Sequence, residues 1–171
     1  MPDLSSLGEE AVVARLTALL EAGPGVLTGP GDDCAVVEGS GRGTVELLKT
    51  DCLVCGVHFL PEAAAGKVGW KAVARTLSDF AAMGGWPRHL LVTLAVPASC
   101  EMRWVEQLYR GMNKCARAYD CSIVGGETSS LPAGAPVMIS VAGTGTARRS
   151  QVVLRSGGRP GDLLFVTGRL G

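Results

Sequence analysis

Apolar residues recur along this chain with two different periods, and the alternation between them restricts the fold more than any other feature. Residues 66–83 repeat at helical spacing, with Val73, Leu77 and Phe80 on one side, and Gly84–Gly85 ends the run before Trp86–Pro87. Residues 100–119 repeat in the same way through Trp104, Leu108 and Met112, with Cys115 one step on. Apolar runs of strand length surround these two stretches. Residues 34–38 and 44–49 flank the glycine-rich residues 39–43 and read as a hairpin; residues 52–59 are extended and end at Pro61. Further strands are predicted over 89–96, 121–125, 137–147 and 162–167. Near the start, Ser5–Ser6 opens a shorter helix with Leu7, Val12, Leu16, Leu19 and Leu20 on one face, and Gly23–Pro24 stops it. Such mixed elements predict an α+β class: a mixed sheet covered on one face by two long helices.

Composition narrows the possibilities further. The 171 residues are 47% hydrophobic and 19% charged, enough for one domain with a core and too apolar for a disordered chain. Lys and Arg number 16 and so do Asp and Glu, so the basic excess that nucleic acid or an anionic membrane demands is missing. The longest apolar run, residues 90–97, falls far short of the roughly 20 residues that cross a bilayer. Asp3, Glu9 and Glu10 stand where a secretion signal needs a basic flank, so the expected location is the cytoplasm. Cys34, Cys52, Cys55, Cys100, Cys115 and Cys121 then read as small hydrophobes before they read as disulfides.

Carboxylates sit at the ends of the predicted elements. Gly31-Asp32-Asp33 precedes a strand, and adjacent acids repel unless a cation lies between them. Thr50-Asp51 closes a strand, Ser78-Asp79 lies near the C-terminal end of a helix where the dipole disfavours an anion, and Gly125-Gly126-Glu127-Thr128 follows another strand. Hard oxygen donors beside glycines suit a Mg²⁺–phosphate site, where the oxygens hold the ion and the glycines let phosphate approach backbone N–H groups. The same residues are also ordinary turn formers, and Arg75 with Asp79 makes an i,i+4 surface pair in its weaker orientation. Neither a Walker A loop nor a dinucleotide fingerprint occurs. Cys52-x-x-Cys55 with His58 lacks the second pair that would close a zinc site.

Taken in order, the segments Gly31-Asp-Asp-Cys-Ala35, Thr50-Asp51 with Gly56-Val-His-Phe59, Trp70-Lys-Ala72 with Leu77-Ser-Asp79, Gly125-Gly-Glu127-Thr128 and Arg155-Ser-Gly with Arg159-Pro-Gly-Asp162 resemble thiamine-monophosphate kinase. That family belongs to the ATP-binding superfamily of aminoimidazole ribonucleotide synthetase. The resemblance implies ATP-dependent phosphorylation of thiamine monophosphate to thiamine diphosphate by direct in-line transfer. It also implies Mg²⁺ as cofactor, and a homodimer in which strands of two subunits pair into a barrel-like sheet. By matching position, Asp33, Thr50, Asp51, Asp79 and Glu127 would be metal ligands, with Asp32 beside them. His58 would contact the substrate, and Tyr109, Gly126, Glu127 and Arg155 would contact ATP. For Tyr109, an aromatic at helical spacing after Trp104, simple packing is the competing role.

Three positions depart from the family pattern. Glu127 stands where Asp is common, Ser129-Ser130-Leu131 replaces a polar–basic continuation, and Lys49 occupies a place where a small hydroxyl residue is frequent. A cation at position 49 would oppose a neighbouring Mg²⁺ or substitute for one of several ions. The resemblance covers the amino-terminal half of such an enzyme, so residues 1–171 read as a single ATP- and Mg²⁺-binding domain. The carboxy-terminal domain would begin just after the turn starting at Thr167. Such a fragment is expected to fold and dimerise but to catalyse poorly alone. Two other readings stay open: a different small-molecule enzyme of the purine ring-closing superfamily, and a non-catalytic dimerisation or nucleotide-sensing module.

Overall fold

A computed structural model describes residues 4–166 and 168. Three α-helices, α1 (Glu9–Thr17), α2 (Ala65–Ala82) and α3 (Met102–Ala118), accompany six strands. These are β1 (Val26–Thr28), β2 (Ala35–Glu38), β3 (Thr44–Val54), β4 (Trp86–Pro97), β5 (Ser122–Leu131) and β6 (Met138–Arg148). The strands form one mixed sheet in the order β1-β2-β3-β6-β4-β5. Every pairing is antiparallel except β4–β5, which is parallel and connected through α3. No helix among the described residues is long and apolar enough to cross a membrane.

Alternation along the strands decides which face is buried. On β3, Val45, Leu47 and Leu53 point into the core; on β4 Leu90, Val92 and Leu94 do so, and on β6 Ile139 and Val141. Helix α2 supplies the opposing layer through Val68, Ala72, Val73, Leu77 and Phe80. The Phe80 ring lies against β6, where a Cβ at Gly145 would stand 2.6 Å from its Cδ1 atom. Helices α2 and α3 cross where side chains are missing: a Cβ on Gly69 would come within 2.0 Å of the Leu108 carbonyl oxygen. A Cβ on Gly111 would approach the Gly66 carbonyl oxygen equally closely. Only glycine lets two helix backbones approach so nearly. The other face of the sheet carries exposed apolar side chains, with Leu48 40%, Leu91 51% and Val124 57% accessible.

The hairpin of β2 and β3 forms in the predicted register region, and both long helices lie where the helical period places them. Several boundaries differ from expectation. The predicted strands 44–49 and 52–59 share one element, β3, which stops at Val54; a turn over residues 55–59 follows. The brief strand expected over 121–125 is the ten-residue β5, which pairs with β4 through backbone groups that do not depend on side-chain pattern. Helix α1 ends at Thr17, and Leu16, Leu19 and Leu20 are exposed. Residues 162–166 carry no strand, and Leu164 is fully exposed, since an isolated strand has no ladder partner. Thr167 and residues 169–171, to which the last strand and final turn were assigned, lie outside the described residues.

A cluster of charged side chains between β3 and α2

Helix α2 ends at a junction that gathers distant segments. The Cys34 backbone N–H points at the Met83 sulfur at 3.0 Å, and the Met83 carbonyl accepts a hydrogen bond from the Val153 N–H at 3.2 Å. These contacts bring both the Asp32–Asp33 turn and the segment after β6 to the last turn of α2, which carries Asp79. Arg155 thereby reaches the turn. Its guanidinium donates to Asp33 Oδ1, the Nε contact being 3.1 Å, and its backbone N–H donates to the Asp32 carboxylate at 3.2 Å. The Asp33 N–H also caps Asp32 Oδ1 at 3.0 Å.

Strand β3 meets the same helix from the sheet. Asp51 is paired across β3 and β6 with Val141, which β4 pairs with Val92, so its row of the pleat faces α2. Lys49, two residues earlier, shares that face. Arg75 and Asp79, one helical turn apart on α2, project towards them. The result is two cross-element ion pairs, Lys49–Asp79 and Arg75 Nε–Asp51 Oδ1, the latter at 3.2 Å. The predicted Arg75–Asp79 surface pair gives way to this arrangement because tertiary packing puts an opposite charge in front of each.

The same proximity shifts the titration of two groups. Burial, followed by the negative charge of Asp79, pushes the Cys34 thiol up to about 12; Lys49 acts against this, and Asp33 and Asp32 add to it. The hydrogen bond to Asp33, with that carboxylate's charge behind it, holds Arg155 above the ordinary guanidinium range, and Asp32 and Asp79 contribute more weakly. Asp32, Asp33 and Asp79 therefore share one neighbourhood with Lys49 and Arg155, and the Asp51–Arg75 pair adjoins it through Lys49 on β3 and Asp79 on α2. Four carboxylates against three cations leave a single net negative charge.

The remaining predicted residues lie elsewhere. Thr50 is on the opposite face of β3, where its hydroxyl is 3.3 Å from Ser140 Oγ. Glu127 pairs with Thr93, which faces away from the core between Val92 and Leu94, so Glu127 stands on that same open face, with Ser129 hydrogen-bonded to its carboxylate. Gly126 is in the middle of β5 instead of at a strand end, at φ 155°, and a Cβ there would stand 1.8 Å from the Val92 carbonyl oxygen. His58 sits in the turn after β3; its Nδ1 accepts the Val54 N–H at 3.0 Å, which leaves Nε2 to carry the proton of the neutral ring. The Lys71 ammonium donates to the His58 carbonyl. Tyr109 packs half-buried against the helical core, and burial raises its hydroxyl pKa.

The donor set of the cluster, all oxygen, fits a hard cation such as Mg²⁺ in kind. Among the described residues, however, no three His, Cys, Asp or Glu side chains stand together in a group that could hold a metal ion; Lys and Arg side chains engage three of the four carboxylates. Asp32, bonded only to backbone N–H groups, is the least committed of the four. Sequence reasoning noted Lys49 and Arg75 without pairing them to Asp79 and Asp51. The available signal was the same cation-then-acid order on both elements, Lys then Asp at i,i+2 on a strand and Arg then Asp at i,i+4 on a helix, which matches opposite charges when the two run in opposite directions.

The chain is similar to known proteins over most of its length. The family model described as AIR synthase related protein, N-terminal domain, matches residues 31–147. Thiamine-monophosphate kinase of Synechococcus elongatus is 34% identical over 98% of this chain and 49% of its own length. The Bacillus subtilis thiamine-monophosphate kinase is 38% identical over 84% of this chain and 43% of its own. A solved structure, AaThiL complexed with AMPPCP and TMP, superimposes with a TM-score of 0.82 at 35% identity, over 93% of this chain and 48% of that one. The chain thus spans about half the length of the relatives it matches. By the extent of the family match, the chain belongs to the AIR synthase related proteins and carries their N-terminal domain.

Proposed function

We propose that residues 1–171 are the amino-terminal ATP- and Mg²⁺-binding domain of a thiamine-monophosphate kinase, which transfers the terminal phosphoryl group of ATP to thiamine monophosphate and yields thiamine diphosphate. The observation that carries this reading is the placement of Asp33, Asp51 and Asp79, from three separate segments, in ion pairs with Arg155, Arg75 and Lys49 along the β3–α2 layer, with Asp32 bonded to the Arg155 backbone N–H. The similarity of the chain to kinases of this name supports it.

Phosphoryl transfer asks a protein to align donor and acceptor and to neutralise charge. In this reading Asp33, Asp51 and Asp79, with Asp32, would hold Mg²⁺ on the helix-covered face, and Thr50 and Glu127, on the open face of the sheet, would ligate a separate ion. Bound Mg²⁺ offsets the negative charge on the phosphates. Arg155, 65% exposed at its side chain, is free to turn from Asp33 onto ATP phosphate oxygens. Gly126 offers backbone without a side chain beside Glu127, Tyr109 supports the adenine, and His58 presents Nε2–H to the substrate. No residue is required to become phosphorylated, so the transfer is in line and direct.

The domain is the first half of a longer enzyme whose other half adds further contacts. Its two long helices cover one sheet face. The open face, with Leu48, Leu91 and Val124 exposed, suits pairing with a second copy into a barrel-like dimer. Six cysteines without disulfides accord with a reducing cytoplasm. ADP release by the full-length protein tests the reading. Thiamine monophosphate should be turned over in preference to purine-pathway acceptors, and indifference to thiamine monophosphate would refute it.

A further inference from the structure

We propose that Lys49 is a resident cation of the carboxylate cluster, its ammonium taking the place at Asp79 that a divalent ion would otherwise fill. The chain then binds fewer divalent ions than its four carboxylates could hold. The inference rests on the metal-binding reading above and refines it.

The three cations of the cluster are not equivalent. The Arg155 side chain is 65% exposed and on a segment outside the sheet, so it can withdraw into water when an ion or phosphate arrives. Arg75 is 42% exposed and meets Asp51 through Nε at 3.2 Å. Lys49 is 23% exposed and its partner Asp79 21%. It extends from β3, a strand held between β2 and β6, and points at the last turn of α2. An ammonium so enclosed needs a counter-charge, and Asp79 supplies it. The carboxylate in turn sits near the negative end of the helix dipole, where a fixed positive charge is favourable. A divalent ion approaching Asp79 would face this positive charge at contact distance, which disfavours its binding on the order of tenfold or more even with strong solvent screening. The cluster's single net negative charge points the same way. Lys49 and Asp79 satisfy each other, leaving Asp32 and Asp33 as the end where an ion is least opposed.

Mn²⁺ is the probe, counted as free ion by electron paramagnetic resonance against the 171-residue chain. Wild type is compared with Lys49→Met, Lys49→Arg and Lys49→Met/Asp79→Asn, and circular dichroism melting checks each fold. Lys49→Met should bind one more Mn²⁺ per chain, or bind at least tenfold more tightly. Lys49→Arg should titrate as wild type because the cation is retained, and adding Asp79→Asn should abolish the gain. If Lys49→Met does not fold, Lys49→Gln, whose amide can still bond Asp79, takes its place. Wild type binding Mn²⁺ with the neutral variants indistinguishable from it overturns the inference and leaves the kinase reading intact. Failure of every variant and wild type to bind Mn²⁺ at millimolar concentration removes the metal-binding reading, and this inference with it.

Discussion

Gly126 offers a sharp test of how the open-face edge of the sheet is built. A Cβ at this position would lie 1.8 Å from the Val92 carbonyl oxygen, 2.7 Å from its carbon and 2.8 Å from the Val92 nitrogen. All three are backbone atoms of the neighbouring strand, so no side-chain rotation relieves the overlap. Restoring ordinary contact requires β5 to move away from β4 by about 1.5 Å, which stretches the parallel ladder beyond hydrogen-bond range on either side. Overpacking of this kind costs about 1–3 kcal/mol, and φ 155° adds roughly 1 kcal/mol of backbone strain for an L-residue. Gly126→Ala should therefore lose about 3 kcal/mol, and at roughly 2–4 °C per kcal/mol for a domain of this size Tm should fall by about 6–12 °C. The neighbouring Gly125 is the control. A Cβ there meets only Leu91 Cδ2 at 3.5 Å, so Gly125→Ala should cost less than about 1 kcal/mol. Hydrogen exchange locates the damage: amides of residues 122–131 should lose protection while the β3–β6 ladder keeps its own. A Gly126→Ala chain that melts within a degree of wild type, with β5 still protected, would show that the β4–β5 approach is not what demands glycine.

Asp79→Asn leaves the Lys49 ammonium enclosed without its counter-charge and should cost about 1–3 kcal/mol in urea unfolding, part of which Lys49→Met in the same chain should return. Cys34 and Cys115, pushed up to about 12 and about 11 by burial from an ordinary 9.0, stay protonated in the native chain. The stability this provides is present below about pH 9 and lost as pH rises towards 11–12, because the unfolded thiols ionise first, and Cys34→Ala should flatten the alkaline fall of Tm. Leu91→Glu, on a side chain already 51% exposed, should barely move Tm but should convert a dimer to a 17.6 kDa species in light scattering; a wild-type monomer would refute the pairing. In the full-length enzyme Glu127→Gln should lower turnover far more than it lowers Tm, whereas wild-type rates would take Glu127 out of the site.

The parts of the fold legible in the sequence are those whose determinants are local. The hydrophobic face of α2, Val73 with Leu77 and Phe80, needs only the helical period, and the glycine-rich residues between β2 and β3 announce their own reversal. Only the first part of strand β5 was legible, because the stability of the rest is not written in alternating side chains. Residues 125–130 are glycine, glutamate, threonine and serine, and they are held extended by β4 alone, at an edge where one face and one ladder are open. The terminal run 162–166 shows the converse: an apolar pattern of strand type without a partner strand remains irregular. The candidate site divides in the same way. Acids at turns and element ends were visible as unusual placements, since an anion in the last turn of a helix is disfavoured unless something offsets it. What offsets Asp79 is a lysine thirty residues away, brought there because β3 and α2 bury their apolar faces on each other and so present their charged ends in opposite order. The pairing of Lys49 with Asp79 and of Asp51 with Arg75 is thus a consequence of core packing. It could be read only once Leu47, Leu53, Val73 and Phe80 had fixed how the strand and the helix face each other.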